Sequence, residues 1–377
     1  MAVYLDNSAT TMPCPEAAEA VSRMMTVNYG NPSSLHVLGI SAMKEIISAR
    51  ESIAEALCCD KDEIYFTSGA TEANNLALFG AAYANRRRGS RIVTTAIEHE
   101  SVMESIAQLE SEGFEVIRLM PDEYGFISEK ELEEAIDGKT ILVSMMYINN
   151  EAGSVLPVEK IKKIVQRKKA PALIHTDCVQ AFGKTEVRPK KLGADLLSIT
   201  AHKIHGPKGC GALYIRKGVR ILPRSFGGEQ EKRLRPGTEA SPLIAGFGAA
   251  VRALPDLKKQ NEYITELNTY ARERLGSISG IIFNSAGNAS PFILNVYIPS
   301  FMRSQTVIQE LSAKYGIYVS SGSACAKGRR SHVLSAMRLS DERIDKSIRI
   351  SFCRSSTKSD IDLLAAALEE LIQNHPK

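Results

Sequence analysis

Between about Glu63 and Arg216 the chain alternates short β-rich runs with helical stretches, and this alternation narrows the possible folds more than any other feature. The runs are "EIYFTS", "RIVTTA", "FEVIRLM", "TILVSMMY", "ALIHTD", "DLLSITA" and "CGALYIR". Most are nearly continuous in apolar residues, as strands covered on both faces are. Between them lie "TEANNLALFGAAYANRR", "ESVMESIAQLESEG", "SEKELEEAI" and "VEKIKKIVQRKK", with apolar positions at helical spacing. Repeats of this kind predict an α/β fold, a mainly parallel sheet sandwiched by helices. The last two runs are separated only by "HKIHGPKG", too short for a crossover helix, so an antiparallel strand enters there and the sheet is mixed.

From Ser241 to about Ile278 the sequence reads as helical, broken near "ALPDL". Beyond it "GIIFNS", "ILNVYIP", "GIYVSS" and "SIRISF" read as strands, and "QTVIQELSAKY" and "SDIDLLAAALEELIQN" as helices, giving a smaller α+β region. A length of 377 residues exceeds one ordinary domain and suits this two-part reading. The stretch "SLHVLGISAMKEIISARESIAEAL" is expected as a helix on the larger part, and the residues before it as packing on the smaller one.

Apolar residues make up 44% and charged residues 24%, the balance of a globular protein. The net charge of +4, from 47 basic and 43 acidic side chains, sets up no general field for nucleic acid. The densest basic stretch, "NRRRGSR" from Asn85 to Arg91, lacks interleaved aromatics and reads as a solvated helix end, so no direct nucleic-acid partner is expected. No apolar run reaches the ~20 residues that span a bilayer, and "MAVYLDNSATT" lacks the order of a signal peptide; a cytoplasmic protein without a membrane partner is expected. Seven cysteines without a C-x-x-C pair argue against a metal site or a disulfide framework.

One of those cysteines sits oddly. In "SSGSACAKGRR" Cys325 lies among small residues and is followed by Lys327, Arg329 and Arg330, a setting that favours the thiolate; the alternative is a cysteine in a surface turn. In "SITAHKIHGPKGCGAL" Lys203 follows a β-rich run and precedes a Gly-Pro-Lys-Gly turn, so its amine stands at a strand end, where ligands bind in open α/β sheets; a solvated lysine is the alternative. Asp177 in "ALIHTDCVQAFGK" marks another strand end, or else a turn or cap. Ser68, Gly69, Ala70 and Thr71 of "FTSGATEANN" fall at a strand-to-helix junction whose free N–H groups suit a phosphate. Lysine, acid and phosphate cradle together suggest pyridoxal 5'-phosphate (PLP). The Walker and dinucleotide glycine patterns are absent.

Nearly end to end, through "YLDNSATT", "GNPSSLH", "TSGATEANN", "EHESV", "NNEAG", "HTDCVQAFGK", "AHKIHGPKG", "LRPGTEA", "SSGSAC" and "SIRIS", the chain resembles the NifS/IscS-type cysteine desulfurases, in the class V aminotransferase group of fold type I PLP enzymes. That resemblance implies Lys203 as the Schiff-base lysine and the base for the substrate Cα proton. It implies Asp177 facing the pyridine nitrogen, Gln180 on the ring hydroxyl, and His99 stacked on the ring and handling the thiol proton. Ala70, Thr71, Thr200 and His202 fall to the phosphate site, with Thr238 supplied by the partner in a homodimer. Asn150 is expected over the active site near the ring hydroxyl, Arg349 on the substrate carboxylate with Arg354 as its competitor, and Cys325 as the nucleophile. A loop of small residues would let that thiol reach the substrate and then present its sulfur elsewhere. The implied activity converts L-cysteine to L-alanine and leaves a persulfide on Cys325 for an iron-sulfur scaffold or a thiolation enzyme. The expected domains are a large PLP-binding one over residues 16–255 and a small one from 1–15 with 256–377, carrying the cysteine loop. Two residues depart from the common pattern: Thr200, where serine is usual, and Ala240, where asparagine often stands.

Overall fold

The computed structural model describes residues 2–321 and 330–374. Its centre is a seven-stranded sheet of β2 (Ile64–Thr67), β3 (Arg91–Thr95), β4 (Glu115–Leu119), β5 (Thr140–Ser144), β6 (Leu173–Asp177), β7 (Leu196–Thr200) and β8 (Gly211–Ile215), in the order β2-β8-β7-β6-β5-β3-β4. The pairs β3·β4, β3·β5, β5·β6 and β6·β7 are parallel. Only β8 runs against its neighbours, antiparallel to both β7 and β2. Every residue of β5, β7 and β8 is buried, which is why their sequences show apolar runs without alternation.

Helices cover this sheet. α1 (Pro15–Thr26) and α2 (Val37–Leu57) pack against the helix Ser241–Arg252, whose Phe247 meets Phe182 edge to face with ring centres 6.5 Å apart. α3 (Ala70–Asn85) lies across β5, β7 and β8 and buries nearly one whole side, while α4 (Glu100–Ser111) packs beside it. The helical reading of 241–278 resolves into Ser241–Arg252 and Leu257–Gly276, interrupted at Ala253–Asp256 as "ALPDL" implied. Arg86 at the end of α3 stacks over Phe114 and donates to the carbonyl of Glu112, so the basic stretch does serve a helix end.

Two further sheets lie among the described residues. β9 (Ile282–Phe283), β10 (Ile293–Tyr297) and β12 (Ser347–Ser351) form an antiparallel sheet in the order β12-β10-β9. β1 (Val3–Tyr4) pairs in parallel with β11 (Ile317–Tyr318), so the first residues of the chain lie on its C-terminal part. Asp6 and Ser320 extend the contact as single bridges to Ser351 and Arg349 on β12. Among the described residues no helix is long and apolar enough to cross a membrane.

The direction of the strands decides where chemistry can happen. β2, β3, β5, β6 and β7 all end at the same sheet edge, and β8 begins there, with Gly211 paired to Thr67 and Thr200. A Cβ on Gly211 would stand 2.7 Å from the carbonyl carbon of Gly69 and 2.8 Å from the Ile199 oxygen, both backbone atoms that cannot swing aside. Gly211→Ala is therefore expected to cost about 1–3 kcal/mol by overpacking, read as a lowered melting temperature. Gly138→Ala, where a Cβ meets nothing within 4 Å, is the control and should leave the temperature unchanged.

Candidate active site

The shared edge opens into a cavity of about 580 Å³. Ala70 and Thr71 enter it as the first two residues of α3, capped by Gly69. The first N–H groups of a helix have no partner inside it, and a Cβ placed on Gly69 would meet nothing within 4 Å, so the space before this helix end is open. His99 arrives from the loop after β3 as the cap of α4, and Asn150 from the turn after β5. Asp177 closes β6, and Gln180 follows in the next turn. Thr200 closes β7, with His202 and Lys203 in the single helical turn after it, and Arg349 reaches in from β12.

Each side chain is held. Asp177, 4% exposed, accepts from the Val179 N–H at 2.9 Å and from Asn74 Nδ2 at 2.8 Å. Gln180 donates to the Ser8 carbonyl at 3.0 Å and accepts from the buried ammonium of Lys184 at 2.8 Å, which fixes which end of its amide faces which way. Lys203 donates to the carbonyls of Ser8 and Ala9. Arg349, 1% exposed, spans Asp6 at 2.8 Å and the Asn150 carbonyl at 2.9 Å. Thr200 donates its hydroxyl to the Cys210 carbonyl at 3.1 Å. Ser8 Oγ and Asn150 Oδ1, buried on the cavity wall, have no hydrogen-bond partner among the described residues.

Burial and crowding set the charges. His202 is drawn down to about 4 by burial and by the Lys203 ammonium, so it is neutral near pH 7. Burial, assisted by Lys203, lowers Lys184 to about 7. Beneath the cavity floor Glu98 is fully buried and pushed up to about 8, although the Met146 N–H and the Thr95 hydroxyl donate to its carboxyl. Burial also keeps His99 below its ordinary value.

Twelve residues expected from the sequence, Ser68 and Gly69 of the phosphate cradle among them, thus share one cavity. Two others do not. Thr238 is exposed and off the cavity wall, while Cys325 lies outside the described residues. The competitor Arg354 donates to the Ala253 carbonyl at 2.6 Å and stays out of the cavity. Among the other thiols, Cys178 is buried and pushed well up by burial. Cys353 is buried too, but hydrogen bonds from His205 and Ser355 outweigh the effect of burial and bring it to about 7.

Sequence reasoning passed over Asp6, Ser8, Asn74, Ser101, Glu151, Lys184 and His332. One left a signal: Lys184 stands four residues from Gln180. Glu151 and His332 also line the cavity; Ser331 bonds the carboxyl of Glu151, and His332 Nε2 lies 2.9 Å from the Glu98 carbonyl oxygen.

The family model for aminotransferase class-V matches residues 3–364. The chain belongs to the class-V aminotransferase family. This class-V chain is 42% identical over 377 residues to a protein named cysteine desulfurase IscS from Methanosarcina thermophila, covering 99% of this chain and 92% of that one. It is 39% identical to a cysteine desulfurase from a Nostoc species, with 98% and 93% covered. Among solved structures, a NifS-like protein superposes with a TM-score of 0.93 at 38% identity, over 99% and 100% of the two chains. A structure described as SspA in complex with cysteine gives 0.82 at 34%, over 93% and 98%.

The donor set fits PLP: a helix end open to a phosphate, an amine at a strand end, a held carboxylate, and an amide and an imidazole on the same wall. The low value of Lys184 also carries a stability consequence. Its folded pKa of about 7 lies below the ordinary 10.5, so the unfolded chain binds the extra proton between these values and stability rises with pH across that window. Lys184→Met removes this gain; the stability of the wild type relative to the variant should climb from about pH 7 to about 10.5, measured by denaturant unfolding at several pH values.

Proposed function

We propose that this protein is a PLP-dependent cysteine desulfurase that converts L-cysteine and an enzyme thiol into L-alanine and an enzyme persulfide. The observation that carries this reading is the convergence of Lys203, Asp177, the α3 terminus and Arg349 on one cavity. The relatives named cysteine desulfurase at about 40% identity over nearly the full chain support it.

Bound in the cavity, PLP supplies an electron sink for loss of the substrate Cα proton. Lys203 carries the cofactor and moves that proton, its amine aimed by the Ser8 and Ala9 carbonyls. The carboxylate of Asp177, steadied by Val179 and Asn74, holds a positive ring nitrogen. Gln180, locked by Lys184, offers an N–H to the ring oxygen. Ala70, Thr71 and the neutral His202 take the phosphate through hydrogen bonds rather than an imidazolium charge, and Thr200 joins them if its hydroxyl leaves Cys210. Arg349 presents its planar fork to the substrate carboxylate beside Asn150. His99 exchanges the thiol proton. Cys325 as thiolate attacks the substrate sulfur, the carbon–sulfur bond breaks, and the carbon skeleton leaves as L-alanine.

The persulfide then passes to an acceptor protein, an iron-sulfur scaffold or a thiolation enzyme. The protein works in the cytoplasm as a homodimer of chains divided into a large domain, 16–255, and a small one, 1–15 with 256–377. The exposed position of Thr238 suits donation to the phosphate of a second copy. So do the apolar side chains that residues 12–47 leave in water: Met12, Met25, Tyr29, Leu35 and Val37 are all at least 65% exposed.

Lys203→Ala is expected to leave no cofactor covalently attached after borohydride reduction, and retention on another lysine would refute the assignment. Cys325→Ala should bind cofactor normally yet release alanine at least about 10³-fold more slowly. Mass spectrometry of substrate-treated wild type should find one added, thiol-labile sulfur on Cys325 and none on Cys178 or Cys353. Leu35→Asp combined with Val37→Asp should shift the protein from dimer to monomer in sedimentation velocity runs; an unchanged species would place the interface elsewhere.

A further inference from the structure

A chain of hydrogen bonds runs from Asp177 to His99 through two side chains that do not line the cavity. As a carboxylate Asp177 only accepts, so the atom of Asn74 that lies 2.8 Å from its Oδ2 must be the amide nitrogen. The same nitrogen has a second hydrogen, and Ser101 Oγ lies 2.9 Å away to receive it. Asn74 Oδ1, buried without a partner among the described residues, faces neither group, as this orientation requires.

Having accepted from Asn74, the Ser101 hydroxyl has its own proton to give. His99 Nδ1 lies 2.9 Å from it. The backbone N–H of Ser101 points at the same nitrogen from 3.1 Å, so the imidazole also caps α4. Two donors converge on Nδ1, which must therefore offer a lone pair to both. We propose that Asn74 and Ser101 are positioning residues that hold His99 as the tautomer protonated on Nε2, so that it meets substrate first as a hydrogen-bond donor. Burial favours the neutral ring to which this tautomer belongs.

The consequence for the chemistry rests on the desulfurase reading above; the tautomer does not. A neutral imidazole with its proton on Nε2 has no lone pair on that nitrogen, and its other nitrogen is occupied. His99 can take up a proton from a substrate thiol only after giving one up. The carboxylate that faces the ring nitrogen and the imidazole that exchanges protons are thereby set by one amide, since Asn74 spends one hydrogen on each side.

The test is nitrogen-15 histidine NMR on the purified enzyme with its cofactor, with the His99 signal identified by its loss in His99→Gln. Long-range nitrogen–proton correlations distinguish the two tautomers and the imidazolium. The wild type should show the Nε2–H form; an Nδ1–H form or a protonated ring at neutral pH overturns the proposal. Asn74→Leu keeps the shape and removes both donors, and Ser101→Ala removes the relay hydroxyl; each should raise the Nδ1–H fraction and lower kcat about tenfold with KM little changed. Unchanged tautomer populations in a folded Ser101→Ala protein overturn the role of the relay, and the wild-type spectrum decides the tautomer even where Asn74→Leu does not fold. An Nε2–H signal in an enzyme that releases no alanine from L-cysteine would support the tautomer assignment while refuting the desulfurase reading.

Discussion

Parallel strands deliver their ends to one edge of a sheet, and the central polar groups of the cavity owe their positions to that constraint. Asp177 and Thr200 are the last residues of neighbouring strands, and His99 and Asn150 come from the loops leaving two others. Lateral strand spacing of about 4.8 Å then sets the distance between groups that must act on one small molecule. β8 alone runs backwards, and it begins where the others end. Its first residue has to be glycine because the cap of α3 occupies the place a side chain would take. The same packing that closes the sheet also seats the helix end.

Burying this many polar groups is costly unless each finds a partner. Most do, and in each case at least one partner comes from a distant part of the chain. Gln180 lies between Ser8 and Lys184, Arg349 between Asp6 and Asn150, and Asp177 between Val179 and Asn74. A side chain held from two sides keeps one rotamer, so the orientation needed for catalysis exists before any substrate arrives. Charge is handled differently. His202 stays neutral and Lys184 titrates near neutrality, so neither adds a full positive charge beside Lys203.

The α/β architecture and the antiparallel entry of β8 were legible in the sequence, since continuous apolar runs mark doubly covered strands and eight intervening residues cannot form a crossover. Lys203 and Asp177 were legible as strand-end groups, because a chain that alternates strand and helix must place such residues on the binding edge. The partners of these groups were not. Nothing local distinguishes Asn74 from its neighbour Asn75, which turns back to the Thr71 carbonyl of its own helix. Only the packing of α3 against β6 and α4 tells which of the two meets Asp177. Asp6 was hidden for the same reason: its partner Arg349 lies 343 residues away. Pairings across such separations depend on tertiary register, which a single sequence does not display.

Residues 3–11 touch almost everything that matters. Val3 lies beside Ile317, Asp6 holds Arg349, Asn7 donates to the Ser351 carbonyl, the carbonyls of Ser8 and Ala9 receive Lys203, and Thr11 bonds the carbonyl of His202. During synthesis this segment is made well before its partners on β11 and β12. Contacts with that much intervening chain form late in folding. The cavity is therefore complete only after β12 has been made; until then a growing chain holds Lys203 and Asp177 without the Asp6–Arg349 pair that closes the site.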